Sequence, residues 1–110
     1  MPASSNIYEK IVVDSLDRNK TDLNDISQQI WKKPEEKFAE KFAHGLLTDF
    51  LEKRGFAVTR AYKEVETAFR AEFQSANYKQ GEDPTIAVLC EYDALPEIGH
   101  ACGHNLIAEV

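Results

Sequence analysis

Between Glu91 and Asn105 the chain gathers three carboxylates (Glu91, Asp93, Glu97), two imidazoles (His100, His104) and one thiol (Cys102) on a stretch punctuated by Pro96, Gly99 and Gly103. Imidazole nitrogen and thiolate sulfur suit zinc and its first-row neighbours. The spacing His100-x-Cys102-x-His104 puts donors two residues apart, and Gly99 and Gly103 allow the tight backbone turns that bring such donors together. Asp93 suits a supporting role, in which a carboxylate accepts a hydrogen bond from a ligating histidine and so sets its tautomer. Taken alone, the pattern also fits a glycine-rich loop around an ordinary buried thiol. It also fits a Cys102 nucleophile served by a histidine base.

The elements that must carry this loop follow from periodicity. The run Thr85-Ile86-Ala87-Val88-Leu89-Cys90 is apolar on successive residues, which predicts a central strand covered on both faces with Cys90 buried in it. The loop would then leave that strand at its carboxyl end, where open α/β sheets bind their ligands. Upstream, Ile7, Tyr8, Ile11, Val12, Leu16, Leu23, Ile26, Ile30 and Trp31 recur at three- and four-residue steps, predicting one long helix with a weak point at Asn19-Lys20-Thr21-Asp22. Pro34 suits the first turn of a second helix, with Glu35 and Glu36 at its positive end and Phe38, Phe42, Leu46, Leu47, Phe50 and Leu51 on its apolar stripe. Lys53 and Arg54 in the last turn and Gly55 at the left-handed cap mark its end. His44 reads as a boundary histidine. Phe56–Thr59 and Thr67–Phe73 predict short strands, the second alternating strictly enough to imply antiparallel pairing with one wet face. Ser75 to Pro84 is loop by composition, and a further helix begins at Asn105.

Composition narrows the function classes. A chain of 110 residues, 43% apolar and 29% charged, suits one globular domain and is too apolar for disorder. A net charge of −6, from 19 acids against 13 bases, disfavours a nucleic-acid surface, which needs clustered Lys and Arg. The opening Met1-Pro2-Ala3-Ser4-Ser5-Asn6 lacks a basic start and apolar core, so no signal peptide is expected, and no run is apolar for the ~20 residues of a bilayer span. Two cysteines are too few for a disulfide framework. A cytoplasmic protein without membrane or nucleic-acid partners is the expectation.

Asp93-Ala94-Leu95-Pro96 followed by Gly99-His100-Ala101-Cys102-Gly103-His104-Asn105 resembles the aminoacylase and peptidase M-twenty amidohydrolases, especially their dipeptidase-like and aminobenzoyl-glutamate-hydrolase-like branch. Ile30-Trp31-Lys32-Lys33-Pro34-Glu35, the amphipathic helix that follows, Gly55-Phe56 and Thr67-Ala68-Phe69-Arg70-Ala71 extend the resemblance over most of the chain after about Leu23. The resemblance implies residues 1–110 as a partial N-terminal catalytic domain, the start of a zinc-exopeptidase-like three-layer α/β domain, with the dimerisation domain absent. It implies a hydrolase in which zinc (two ions when complete, with manganese or cobalt as substitutes) activates water against the amide bond of a dipeptide or N-acyl amino acid. Cys102 and His104 become metal ligands, His100 and Glu91 further candidates, and Asp93 their support. Some relatives carry His or Asp at the position of Glu91, and many amidohydrolase relatives carry Asp at that of Asn105. The general base and remaining ligands are expected beyond Val110, leaving the 110-residue chain inactive alone. A homo-oligomer is an option for the full-length protein. The competing expectation is a non-catalytic truncated product that acts as an interaction module.

Overall fold

A computed structural model describes residues 3–110; Met1 and Pro2, part of the stretch read above for a leader, lie outside the described residues. The chain is a small α/β unit. Helix α1 (Ala3–Lys32) runs unbroken through the predicted weak point, where the Asn19 side chain donates to the Ser15 carbonyl at 2.8 Å instead of unwinding the backbone. Helix α2 (Lys41–Lys53) follows, then strands β1 (Ala57–Arg60) and β2 (Phe69–Glu72), and a short α3 (His104–Glu109). None of the described helices is long and apolar enough to cross a membrane.

The core lies where α1 crosses α2. Ile26, Ile30, Ala43 and Leu47 are buried there, with Leu46, Phe50, Phe69, Tyr92 and Ala108 packed against them. The apolar stripe of α1 is therefore buried only in its C-terminal half. Ile7, Tyr8, Ile11, Val12 and Leu16 lie on the exposed N-terminal half.

Helix α2 starts later than Pro34 suggests. Residues 34–40 run as a non-helical connection, and Phe38 sits there at φ +64, 72% exposed, off the expected apolar stripe. The C-terminus is as read: Gly55 takes φ +91, and Phe56 N–H to Leu51 O (3.0 Å) with Gly55 N–H to Glu52 O (3.1 Å) closes the helix in a Schellman arrangement. Arg54 pins the two helices together by donating to Asn19 and, at 2.8 Å, to Asp22.

Strands β1 and β2 pair antiparallel, with Val58 opposite Ala71 and Arg60 opposite Phe69. Their inner side faces α2, and His44 stands at the boundary, its Nε2 3.2 Å from the Ala68 carbonyl and its ring edge-on to Phe69. The central strand expected at Ile86–Leu89 does not form. Residues 85–91 carry no regular structure, and Ile86 and Leu89 are 86% and 93% exposed. Cys90, expected in a buried strand, is exposed with them. A strand persists only where a neighbour takes its N–H and C=O groups, and among the described residues β1 and β2 take only each other. The sheet therefore has two strands and no doubly covered centre.

Candidate metal centre

The loop after residue 91 is held from two directions. Ala94 N–H donates to the Glu35 carbonyl at 2.7 Å, and Glu36 and Ala94 form a parallel bridge, so the 34–36 connection acts as a rail for the loop. Leu95 N–H donates to Gly99 O at 2.9 Å and closes a tight turn, with Gly99 at φ +64, a conformation that other residues enter at a cost. From the other side, Asn105 Nδ2 donates to Ser27 Oγ of α1 at 3.2 Å, and both residues are buried. Tyr92, just before Asp93, stacks on Phe69 and donates its hydroxyl to the Thr67 carbonyl. Burial, reinforced by Glu40 and Glu35, pushes its phenol well above the usual range, so Tyr92 stays a neutral donor.

Glu91, Asp93 and His104 converge, each offering one ligand atom within 4.8 Å of the others. His104 Nδ1 lies 2.8 Å from Asp93 Oδ1 and 3.0 Å from Asp93 O. Carboxylate and carbonyl oxygens accept, so both ring nitrogens face acceptors, and in the neutral ring the two acceptors of Asp93 favour the tautomer with the proton on Nδ1. In the neutral ring Nε2 then presents a lone pair, and it points at Glu91 Oε2 from 2.9 Å. Two acceptors facing each other at that distance need a positive centre between them, either a second ring proton or a cation. The donor set fits a zinc-class ion: imidazole Nε2 and a carboxylate, with the second imidazole nitrogen fixed by another carboxylate.

Cys102 is exposed, with Sγ 3.7 Å from the Asp93 carbonyl. It borders the cluster from the side of Asp93, outside the converging trio. His100 faces away. It is 6% exposed, and neither ring nitrogen makes a hydrogen bond of normal geometry, the Ile30 backbone offering only a weak polar neighbour. Burial, and secondarily the His104 imidazole, lowers its pKa, opposed by Asp93 and Glu35, which keeps His100 neutral.

The structure thus joins Glu91 to Asp93 and His104, sets Cys102 beside them and turns His100 into the interior. Two residues that the sequence did not tie to the site emerge here. Glu35 and Ser27 tie the loop to the helices. Ser27 had a visible signal, a hydroxyl on the apolar stripe between Ile26 and Ile30. Glu35 had none, since its spacing suited an ordinary first-turn acid.

No family model matches the sequence. Individual proteins do. The chain is 41% identical over 112 residues to the Xaa-Arg dipeptidase of Mus musculus, covering 98% of this chain and 26% of that protein. It is 44% identical over 95 residues to the Xaa-Arg dipeptidase of Homo sapiens, covering 80% and 22%. It is 36% identical over 115 residues to one of the subunits of the p-aminobenzoyl-glutamate hydrolase of Escherichia coli strain K12, covering 89% and 23%. The chain spans about a quarter of the length of these curated relatives.

Proposed function

Because the chain belongs, over the segment it shares with them, with the dipeptidase-like branch of the peptidase M-twenty amidohydrolases, we propose that it carries one side of a zinc centre that hydrolyses the amide bond of a small substrate. Dipeptides, with a C-terminal arginine as the first choice by analogy with the dipeptidase relatives, and N-acyl amino acids are the substrate classes. The carrying observation is the His104 ring, with Nδ1 held by Asp93 and Nε2 aimed at Glu91.

In this reading His104 Nε2 and Glu91 hold the ion, and Cys102 joins through a rotation of its exposed thiol. A bound zinc ion supplies Lewis-acid polarisation of the scissile carbonyl and makes water a stronger acid. The work of this chain is to present the donors in one orientation. Asp93 fixes the His104 tautomer and raises its basicity as a ligand. Two or three donors make an open set, so the remaining ligands and the proton-accepting glutamate are assigned to sequence outside this chain, with residues 1–110 as part of a zinc-exopeptidase-like catalytic domain in a cytoplasmic enzyme.

The test is a metal-binding and turnover experiment on the 110-residue chain beside a longer natural protein that contains it. The short chain takes up zinc weakly and leaves Xaa-Arg dipeptides intact, whereas the longer protein is active and loses activity on Cys102→Ala or His104→Ala. Rapid dipeptide hydrolysis by the short chain would refute the shared-site reading. A longer protein that binds no metal would refute the zinc reading.

The exposed apolar run Ile86–Leu89 favours a second reading, an interaction module that adds this segment as a strand to another polypeptide. Co-purification with a full-length homologue, lost on Val88→Lys, would support it.

A further inference from the structure

The geometry points to Glu35 as a positioning residue for the candidate metal centre, acting through Asp93 without touching the ion; this inference rests on the metal reading above. The first backbone N–H groups of a helix lack partners within it. At α2 the N-cap Glu40 makes no side-chain cap hydrogen bond. Glu35 fills the gap from outside the helix. Its Oε2 accepts from Phe42 N–H and its Oε1 from Ala43 N–H, each at 2.9 Å. Such charged, two-point bonds at the positive end of a helix are among the strongest a carboxylate makes, so the side chain is fixed to α2 at both oxygens.

The backbone of the same residue grips the metal loop. Glu35 O accepts Ala94 N–H at 2.7 Å, and Ala94 is buried. Asp93 immediately precedes Ala94, and both its carbonyl and its carboxylate face His104 Nδ1. A continuous set of short polar contacts therefore runs from the α2 N-terminus through Glu35, Ala94 and Asp93 to the His104 ring. The neighbouring Pro34 borders the base of the loop turn, where a Cβ added to Gly99 would meet its ring carbons at 3.7 and 3.8 Å. Ligand geometry tolerates only ~0.5 Å of misplacement. Releasing Glu35 from α2 frees the rail on which Asp93 is mounted.

The experiment compares the intact protein with Glu35→Gln, which keeps the size and one acceptor oxygen but turns an N–H donor toward a backbone N–H. Two quantities are read: the ring 15N resonances of His104 in the metal-free protein, and affinity for cobalt(II) from its absorption spectrum. Glu35→Gln is expected to move the His104 Nδ1 and Nε2 resonances and to weaken cobalt binding about tenfold, the lower end of the range for lost supporting contacts, with helical circular dichroism retained. Arg54→Ala, which removes the surface link between α1 and α2, serves as the control for general loosening and leaves both readouts in place. Should the Gln variant fail to fold, Glu35→Asp, charged but too short to reach both N–H groups, gives the same two readouts. His104 resonances that superimpose on the parent, or that move equally in Arg54→Ala, overturn the inference. A parent protein that binds no cobalt overturns the metal reading instead, while the resonances still decide whether Glu35 positions His104.

Discussion

Removing the Asp93 carboxylate separates a supporting role from a ligating one. In the structure His104 Nδ1–H has two acceptors from this one residue, the carboxylate at 2.8 Å and the backbone carbonyl at 3.0 Å. Asp93→Ala deletes the first and leaves the second, so the ring keeps its tautomer and most of its orientation while losing the charge that raises its basicity. Lost supporting contacts at metal sites weaken affinity by about 10- to 100-fold. The surviving carbonyl places Asp93→Ala near the lower bound, about tenfold, or ~1.4 kcal/mol. Asp93→Asn, with a neutral oxygen still in place, should lose less. His104→Ala removes the donor itself and should abolish high-affinity binding. The assay is competition for zinc against a chromophoric chelator in the intact protein, with circular dichroism as a check on folding. If Asp93→Ala were as damaging as His104→Ala, the carboxylate would be a ligand and the assignment of Nδ1 to it would fail. If Asp93→Ala left affinity unchanged, the carboxylate would have no part in preparing the ring.

Two further outcomes follow from the contacts that anchor the loop. Ser27→Ala leaves the buried Asn105 Nδ2 without its acceptor and should cost about 1–3 kcal/mol of stability in urea unfolding; the double variant Ser27→Ala with Asn105→Ala should cost less than the sum of the two single changes, and strict additivity would count against the coupling. For His100 the native pKa is depressed by burial below the ordinary value of 6.5. The unfolded chain therefore binds the proton more readily, and this group's contribution to stability is complete above ~6.5 and falls as pH drops through the native pKa. In metal-free protein the urea midpoint should decline as pH is lowered below that ordinary value, and His100→Phe should flatten the decline. An unchanged slope in the variant would exclude His100 as its source.

Much of the frame is legible from local pattern. The three- and four-residue apolar steps give α1, the Lys53-Arg54-Gly55 ending gives the close of α2, and the alternation around Phe69 and Ala71 gives an antiparallel β2, because each depends on interactions spanning a few residues. The start of α2 escapes for the same reason. Pro34 suits a helix N-terminus, yet residues 34–40 stay non-helical and 34–36 instead lie along the loop that carries Asp93. Ile86–Leu89 has the composition of a buried strand, but burial needs a partner, and pattern alone does not supply one.

The sequence by itself determined which chemistry the protein has available: imidazole, thiolate and carboxylate donors on one glycine-hinged stretch, with Asp93 suited to support a histidine. Residue types and two-residue spacings are local, so they survive without a fold. Only the tertiary structure decided how those donors divide. It turned His104 so that Asp93 takes Nδ1 and Glu91 faces Nε2, left Cys102 exposed at the margin and buried His100 beneath the loop. It also bound the loop to α2 through Glu35 and to α1 through Ser27. The Glu35 and Ser27 contacts join residues far apart in the chain, and they hold because the buried parts of α1 and α2 pack against each other.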